Sequence, residues 1–173
     1  VISLAGIVYS QSVRVGGDKM DDAIIAYMKR KYNLLIGEQT AEKIKITMGS
    51  AYPTQDEFKA EVRGRELMSG LPKTVILSPE EVREAIAEPV SAIVASVIAC
   101  LGEAPPELAH DLIVRGMHLV GGGGMLKGLA KRIAEETSIP VTLVDAPLEC
   151  VVLGAGRCIE HYDQLRVMFM GAR

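Results

Sequence analysis

Residues 121–124 are four consecutive glycines, set between a short apolar run, Met117-His118-Leu119-Val120, and Met125-Leu126-Lys127, which reads as the opening of a helix. A strand-to-helix turn without side chains lets the backbone come very close to a ligand, and a helix start beyond it offers unpaired N–H groups. The chemistry such a turn serves is nucleotide binding. Two familiar phosphate loops do not fit. No start within the run places glycines at i, i+2 and i+5, and Gly123 with Gly128 has the outer spacing of a lysine-bearing loop but Leu129 where its lysine belongs. What remains is a turn that lies flat against a base or sugar while the phosphates are held elsewhere, beside the plainer reading of a tight turn with spare glycines.

A second candidate is a pair. In the segment 38–48, Ala41, Ile44 and Met48 form an apolar stripe, while Glu42 and Lys45 stand three apart and share another face. A solvent-exposed ion pair worth about 0.2–0.5 kcal/mol accounts for such a spacing. The functional alternative has Glu42 accept hydrogen bonds from a ribose or base, with the Lys45 stem over the base and its ammonium on an oxygen acceptor.

Composition narrows the classes. The chain has 173 residues, 49% of them hydrophobic, enough for one ordinary core or two small lobes. A net charge of −3 gives no electrostatic footprint for nucleic acid, and with 4% aromatic residues and no tryptophan there is little to stack on single strands. Lys29-Arg30-Lys31 reads as a solvated helix end. Cys100, Cys150 and Cys158 are odd in number and lack metal-site spacing, so they are expected as buried thiols in a reducing compartment. The longest apolar stretch, 90–101, is too short to span a bilayer, and no signal peptide is visible. The chain opens at Val1 inside what reads as a strand, the expectation being a part of a longer protein.

The elements that must position the candidates follow from pattern. Residues 1–9 and 11–15 read as adjoining strands. Asp18 is the expected N-cap of a helix that turns Met20, Ile24, Tyr27 and Met28 inward, and Asp21 and Asp22 are its first-turn carboxylates. The helix 38–48 stops at Gly49. Strands are expected at 58–62 and 73–77. Ser78-Pro79-Glu80-Glu81 is a capping box opening a long helix to Leu101, kinked or split at Pro89. The last third alternates: helix 106–114, strand 117–120, helix 125–137, strand 141–144, the grammar of an α/β layer with the glycines at a strand's carboxyl end. The stretch from 15 to 78 is less regular and reads as a small lobe of its own.

Three segments in order closely resemble the MreB family of bacterial actin homologues: Ser12-Val13-Arg14-Val15-Gly16-Gly17-Asp18-Lys19-Met20-Asp21, Ile36-Gly37-Glu38-Gln39-Thr40-Ala41-Glu42-Lys43-Ile44-Lys45, and Arg115-Gly116-Met117-His118-Leu119-Val120-Gly121-Gly122-Gly123-Gly124. Val62-Arg63-Gly64-Arg65, Gly70-Leu71-Pro72, Pro105-Pro106-Glu107-Leu108 and Ala146-Pro147-Leu148-Glu149-Cys150 extend the likeness to about Tyr162. The resemblance implies the second domain of an actin-like ATPase fold, related to ribonuclease H, with a smaller α+β lobe inserted. It assigns 1–14 and 79–150 to the larger lobe, 15–78 to the smaller lobe, and 151–173 to a C-terminal helix crossing to an absent first domain. It also implies ATP with Mg²⁺ in the complete protein, self-assembly into filaments, partners such as RodZ, MreC and MreD, and a place at the inner face of the cell membrane, where the family guides wall synthesis.

The same resemblance assigns roles. Gly121, Gly122, Gly123, Gly124 and Met125 would line adenine and ribose, Glu42 and Lys45 would close over the nucleoside, and Gly17 would let the backbone approach. The family's hydrolytic parts lie in its phosphate loops and first domain, so no catalytic residue and no metal ligand is assigned within 1–173. Three positions depart from the family pattern: Val120 where a threonine is usual, Gly124 where alanine or serine is usual, and Ala5 in place of a glycine. Two rival readings stay in play: part of an actin-fold small-molecule kinase, which needs a sugar or acetate pocket, and a non-enzymatic interaction module, which contacts no nucleotide.

Overall fold

The computed structural model describes residues 1–3, 6–55 and 58–170. Ala5 therefore lies outside the described residues. Strands β1 (Ile2–Ser3) and β2 (Gly6–Ile7) pair antiparallel, with Ile2 opposite Ile7. The strand expected at 11–15 does not form. Its β-branched residues find no neighbouring strand among the described residues, and Val13 stays exposed.

Helix α1 (Gly17–Tyr32) buries Met20, Ile24, Tyr27 and Met28, as the pattern predicts. Its N-cap is Gly16 in extended backbone, not Asp18, which sits inside the first turn. Asn33, left-handed at φ 52°, closes the helix by donating its N–H to the Met28 carbonyl. After β3 (Leu34–Leu35) comes α2 (Glu38–Met48), with Ala41, Ile44 and Met48 buried and Gly49 beyond its end. Strand β4 (Ala60–Glu66) starts two residues later than the strand expected at 58–62 and runs further, because its register on β5 (Pro72–Leu77) sets Val62 opposite Val75, both buried. The three strands form an antiparallel sheet in the order β3-β4-β5.

The capping box forms as expected. Ser78 Oγ accepts from the Glu81 N–H, Glu81 accepts from the Ser78 N–H, and α3 (Pro79–Ala85) begins there. The long helix breaks earlier than Pro89. It ends at Ile86 and resumes as α4 (Ala87–Gly102), bent by 58°. Proline's ring crowds the carbonyl four residues back and removes the bond to it, and that carbonyl is Ala85's, so the break falls one turn before the proline. Among the described residues no single helix is long and apolar enough to cross a membrane. The expected helix at 106–114 is a 3₁₀ turn at Pro106–Leu108 followed by α5 (Ala109–Arg115).

Strand β6 (Met117–Leu119) lies parallel to β7 (Val141–Leu143), and between them in the chain come the helical turn α6 (Gly121–Gly124) and α7 (Leu129–Thr137). This is the expected strand-helix-strand crossover. The C-terminal helix is two, α8 (Cys150–Glu160) and α9 (Tyr162–Met170), and α8 leaves Val151, Val152, Leu153 and Ile159 exposed. One contiguous core joins Met20, Ile24 and Met28 of α1 and Ile44 of α2 to Val82 and Val90 around the helix break and to Leu129 and Ile133 of α7. The three cysteines are free and half-buried, not the fully buried thiols expected.

Glu81 ties α1 to α3. Its Oε1 accepts from the Tyr32 hydroxyl at 2.6 Å and from Lys31 Nζ at 2.8 Å, while Oε2 accepts the Ser78 N–H at 2.8 Å. Lys31, expected as part of a solvated helix end, also donates to the Tyr27 hydroxyl, which in turn donates to Glu84. Burial by itself would raise the Glu81 carboxyl, but the bonds from Lys31, Tyr32 and Ser78 outweigh it and bring the group from 4.5 down to about 2. Burial and the Glu81 bond push the Tyr32 phenol up to about 12. Below the ordinary carboxyl value the unfolded chain binds a proton that the folded chain does not. The stabilisation from Glu81 is therefore present above pH 4.5 and is lost as pH falls toward 2. The melting temperature of Glu81→Gln, followed by circular dichroism, is expected to fall less between pH 5 and pH 3 than that of the unaltered chain. An equal fall in both would show that other carboxylates govern the acid limb.

Candidate nucleotide-binding site

The carboxyl end of β6 leads through Val120 into the glycines, which close on themselves as a single helical turn. The helix expected to open at Met125 does not. Met125 is the C-cap of that turn, and the longer helix starts only at Leu129, after Gly128 reverses the chain at φ +73°. Gly121 donates its N–H to the Pro147 carbonyl at 2.7 Å, and Met125 and Leu126 donate theirs back to Gly122 and Gly123. Among the described residues the N–H groups of Gly122 and Gly123 have no backbone acceptor, so the turn offers bare backbone together with helix-start donors.

The four glycines are not equivalent. A Cβ at Gly124 would stand 2.9 Å from Leu119 Cγ, and one at Gly122 would press on Leu148 Cδ2 at 3.3 Å. Gly124, a departure from the family pattern, thus makes room for a side chain packed against the core. Around Gly121 (φ +79°) and Gly123, beyond their chain neighbours and their own helical turn, none of the described residues lies within 4 Å of such a position. These two Cα faces are open.

Residues 125–128 clasp the end of α2. The Lys127 carbonyl accepts the Ala51 N–H at 2.7 Å, Lys127 Nζ donates to the Thr47 carbonyl at 2.8 Å, and Leu126 Cδ1 packs against the place where Gly49 has no side chain. Gly128 lies so near Tyr52 that a Cβ there would be 2.7 Å from Tyr52 Cβ. The fold therefore brings the glycine turn and α2 together although some seventy residues separate them in the chain.

Glu42 is exposed on α2. Lys45 does not form the surface pair with it that the spacing allows. Its ammonium crosses to α1 and meets Asp21 Oδ2 at 2.7 Å, with the two side chains 15% and 13% exposed. It also lies 3.0 Å from where a Cβ of Gly17 would be. So Gly17 leaves room first of all for Lys45. Asp21, read from sequence as a helix-start carboxylate, was the residue missed. The available signal was a lysine next to the buried positions Ala41, Ile44 and Met48, since an ammonium on that flank needs an acceptor. Asp22 fits the surface reading and pairs with Lys19 at 3.1 Å in solvent.

Elements, crossover and glycine turn together define an actin-like fold. The MamK double helical filament shares it at a TM-score of 0.62 with 22% identity, over 76% of this chain and 40% of that one. The family model described as MreB/Mbl protein matches residues 1–167, and the chain belongs to that family. It is 50% identical over 163 residues to the cell shape-determining protein MreB of Escherichia coli K12, covering 94% of this chain and 47% of that protein. To the cell shape-determining protein Mbl of Bacillus subtilis 168 it is 43% identical over 165 residues, 95% of this chain and 50% of the other. MreB5 of Spiroplasma citri bound to AMPPNP superposes at a TM-score of 0.86 with 34% identity, covering 91% of this chain and 47% of that one; a second structure of the same protein is bound to ADP. The chain spans about half the length of the relatives it matches.

Proposed function

We propose that this chain forms the nucleoside-binding part of an ATP-dependent filament subunit that takes part in setting cell shape. The observation that carries the reading is the open backbone at Gly121 and Gly123, fixed beside the end of α2 by the 125–128 clasp. A base or ribose lies against those two faces, Met125 flanks it, Glu42 accepts from a hydroxyl or base N–H, and Lys45 covers it. The AMPPNP and ADP bound by the S. citri relative support a nucleotide as the ligand. Among the described residues no three metal-ligating side chains gather into a cation site. Mg²⁺, the phosphates and hydrolysis are assigned, as the family resemblance implies, to parts of the relatives that this chain does not span. The reading includes a place at the inner membrane face and partners of the RodZ, MreC and MreD kind.

The test is calorimetry of ATP with Mg²⁺ on a chimera in which this chain replaces the matching half of E. coli MreB. Glu42→Ala is expected to weaken binding about tenfold, equivalent to about 1.4 kcal/mol, whereas Glu135→Ala is neutral. The 173-residue chain alone is expected to bind ATP weakly, because charge-assisted bonds to phosphate are the stronger ones. Unchanged affinity in Glu42→Ala, or tight Mg²⁺-dependent binding by the chain alone, would overturn this division of labour.

Assembly is proposed to be head to tail, a contact of two different surfaces that propagates without closing. The turn between β4 and β5 supports it. Its backbone is pinned by Glu66 and Leu71 and by Leu67 to Asn33, yet Leu67, Met68 and Leu71 are exposed, Met68 at 88%. Three exposed apolar side chains grouped on one backbone-pinned turn are of the kind that mark a contact surface. In the chimera, Leu67→Asp and Met68→Asp are each expected to raise the concentration needed for polymerisation at least about tenfold, by pelleting and electron microscopy, with ATP affinity unchanged. Normal filaments from both, each folded, would place the contact elsewhere.

A further inference from the structure

Lys45 stands in an unusual position for a lysine on a helix flank. A four-carbon stem on a helix flank ordinarily carries its ammonium out to water. Here the stem runs inward to α1, where Asp21 Oδ2 holds the ammonium at 2.7 Å and Gly17 gives it room. The pair is poorly arranged as a device for stability. Asp21 Oδ1 is buried with no hydrogen-bond partner among the described residues, and a mostly buried ion pair with an unsatisfied oxygen gains little over apolar side chains of the same volume. An ammonium has three donors in fixed relation, so the bond to Asp21 sets the directions of the other two.

We infer that Asp21 is a positioning residue: it fixes the Lys45 ammonium against the first turn of α1, beside Gly17, and so sets the geometry with which Lys45 meets a nucleoside. The inference rests on the nucleotide reading above. Two features of the pair carry it. It joins α1 to α2, so the site on α2 is registered against the segment that enters α1. It also depends on charge, because an asparagine keeps the volume at 21 but removes the attraction that draws the ammonium inward.

Two measurements test it. In the 173-residue chain, ¹⁵N NMR of lysine side chains is expected to show the Lys45 ammonium as a distinct, slowly exchanging signal that disappears in Asp21→Asn and returns in Asp21→Glu. In the chimera, Asp21→Asn and Lys45→Met are each expected to weaken ATP binding about tenfold, and the double variant no more than either single one, since one function is removed twice. Asp22→Asn, at the neighbouring exposed pair, leaves affinity unchanged. The combination Asp21→Leu with Lys45→Met replaces the pair with apolar groups; it is expected to fold even where Asp21→Asn does not, and still to bind weakly. A purely structural pair predicts lower melting temperatures with unchanged affinity in every folded variant, and that result would overturn the inference. If the chimera binds ATP and Glu42→Ala weakens it while Asp21→Asn does not, only the inference fails. If the unaltered chimera binds no ATP, the nucleotide reading fails and takes the inference with it.

Discussion

Gly123→Val in the chimera is expected to leave the fold intact and to reduce ATP affinity by at least about tenfold, equivalent to about 1.4 kcal/mol. The two halves of that result have separate causes. Gly123 lies in the helical turn with no positive φ, and among the described residues nothing outside its own turn lies within 4 Å of where its Cβ would be, so the space there accepts a Cβ. Helix propensity changes the balance by only about 0.5 kcal/mol in either direction. The open space is the proposed seat of the base or ribose, and an isopropyl group there takes the ligand's place. Calorimetry and a thermal melt on the same sample check it. An unchanged dissociation constant would show that the ligand does not lie on this face of the turn.

Gly128→Val is expected to do the reverse, destabilising the protein by about 2–5 kcal/mol. Its φ of +73° is left-handed, which costs an L residue about 1–2 kcal/mol. In addition the new side chain would overlap Tyr52, whose backbone nitrogen would be 3.0 Å from Cβ, and overpacking of that kind costs typically about 1–3 kcal/mol. For a chain of this size the melting temperature would fall by roughly 10 °C. The loss falls at the clasp that seats the glycine turn on α2, so hydrogen exchange at Ala51 should rise as well. A melt within 2 °C of the unaltered chain would mean that the clasp is not part of the cooperative unit. Gly123 and Gly128 are both candidates for the same loop in the sequence; only their surroundings make one a functional glycine and the other a structural one.

The elements whose determinants are local were legible in the sequence. Period-3.6 burial set α1 and α2 with the core residues Met20, Ile24, Met28, Ala41, Ile44 and Met48, and the Ser78–Glu81 box set the start of α3. The crossover from β6 to β7 followed from alternation of patterns, and the motifs around Gly17, Glu42 and the glycine run led to the family. Each of these depends on residues within a few positions of one another, where propensity and spacing carry the information.

Tertiary structure alone decided the rest. Residues 11–15 have strand composition but, among the described residues, no strand to pair with, and a strand is made by its partner. The glycine run could not reveal that Gly122 and Gly124 are filled by Leu148 and Leu119 while Gly121 and Gly123 stay open, because those contacts come from other segments. Lys45 could be placed on the flank of α2 from its number, but its acceptor lies 24 residues away on another helix. Spacing along one helix offered Glu42 as the partner. Packing of α1 on α2 supplied Asp21, since an ammonium drawn out of water goes to the nearest buried carboxylate in space, whatever its distance in the chain.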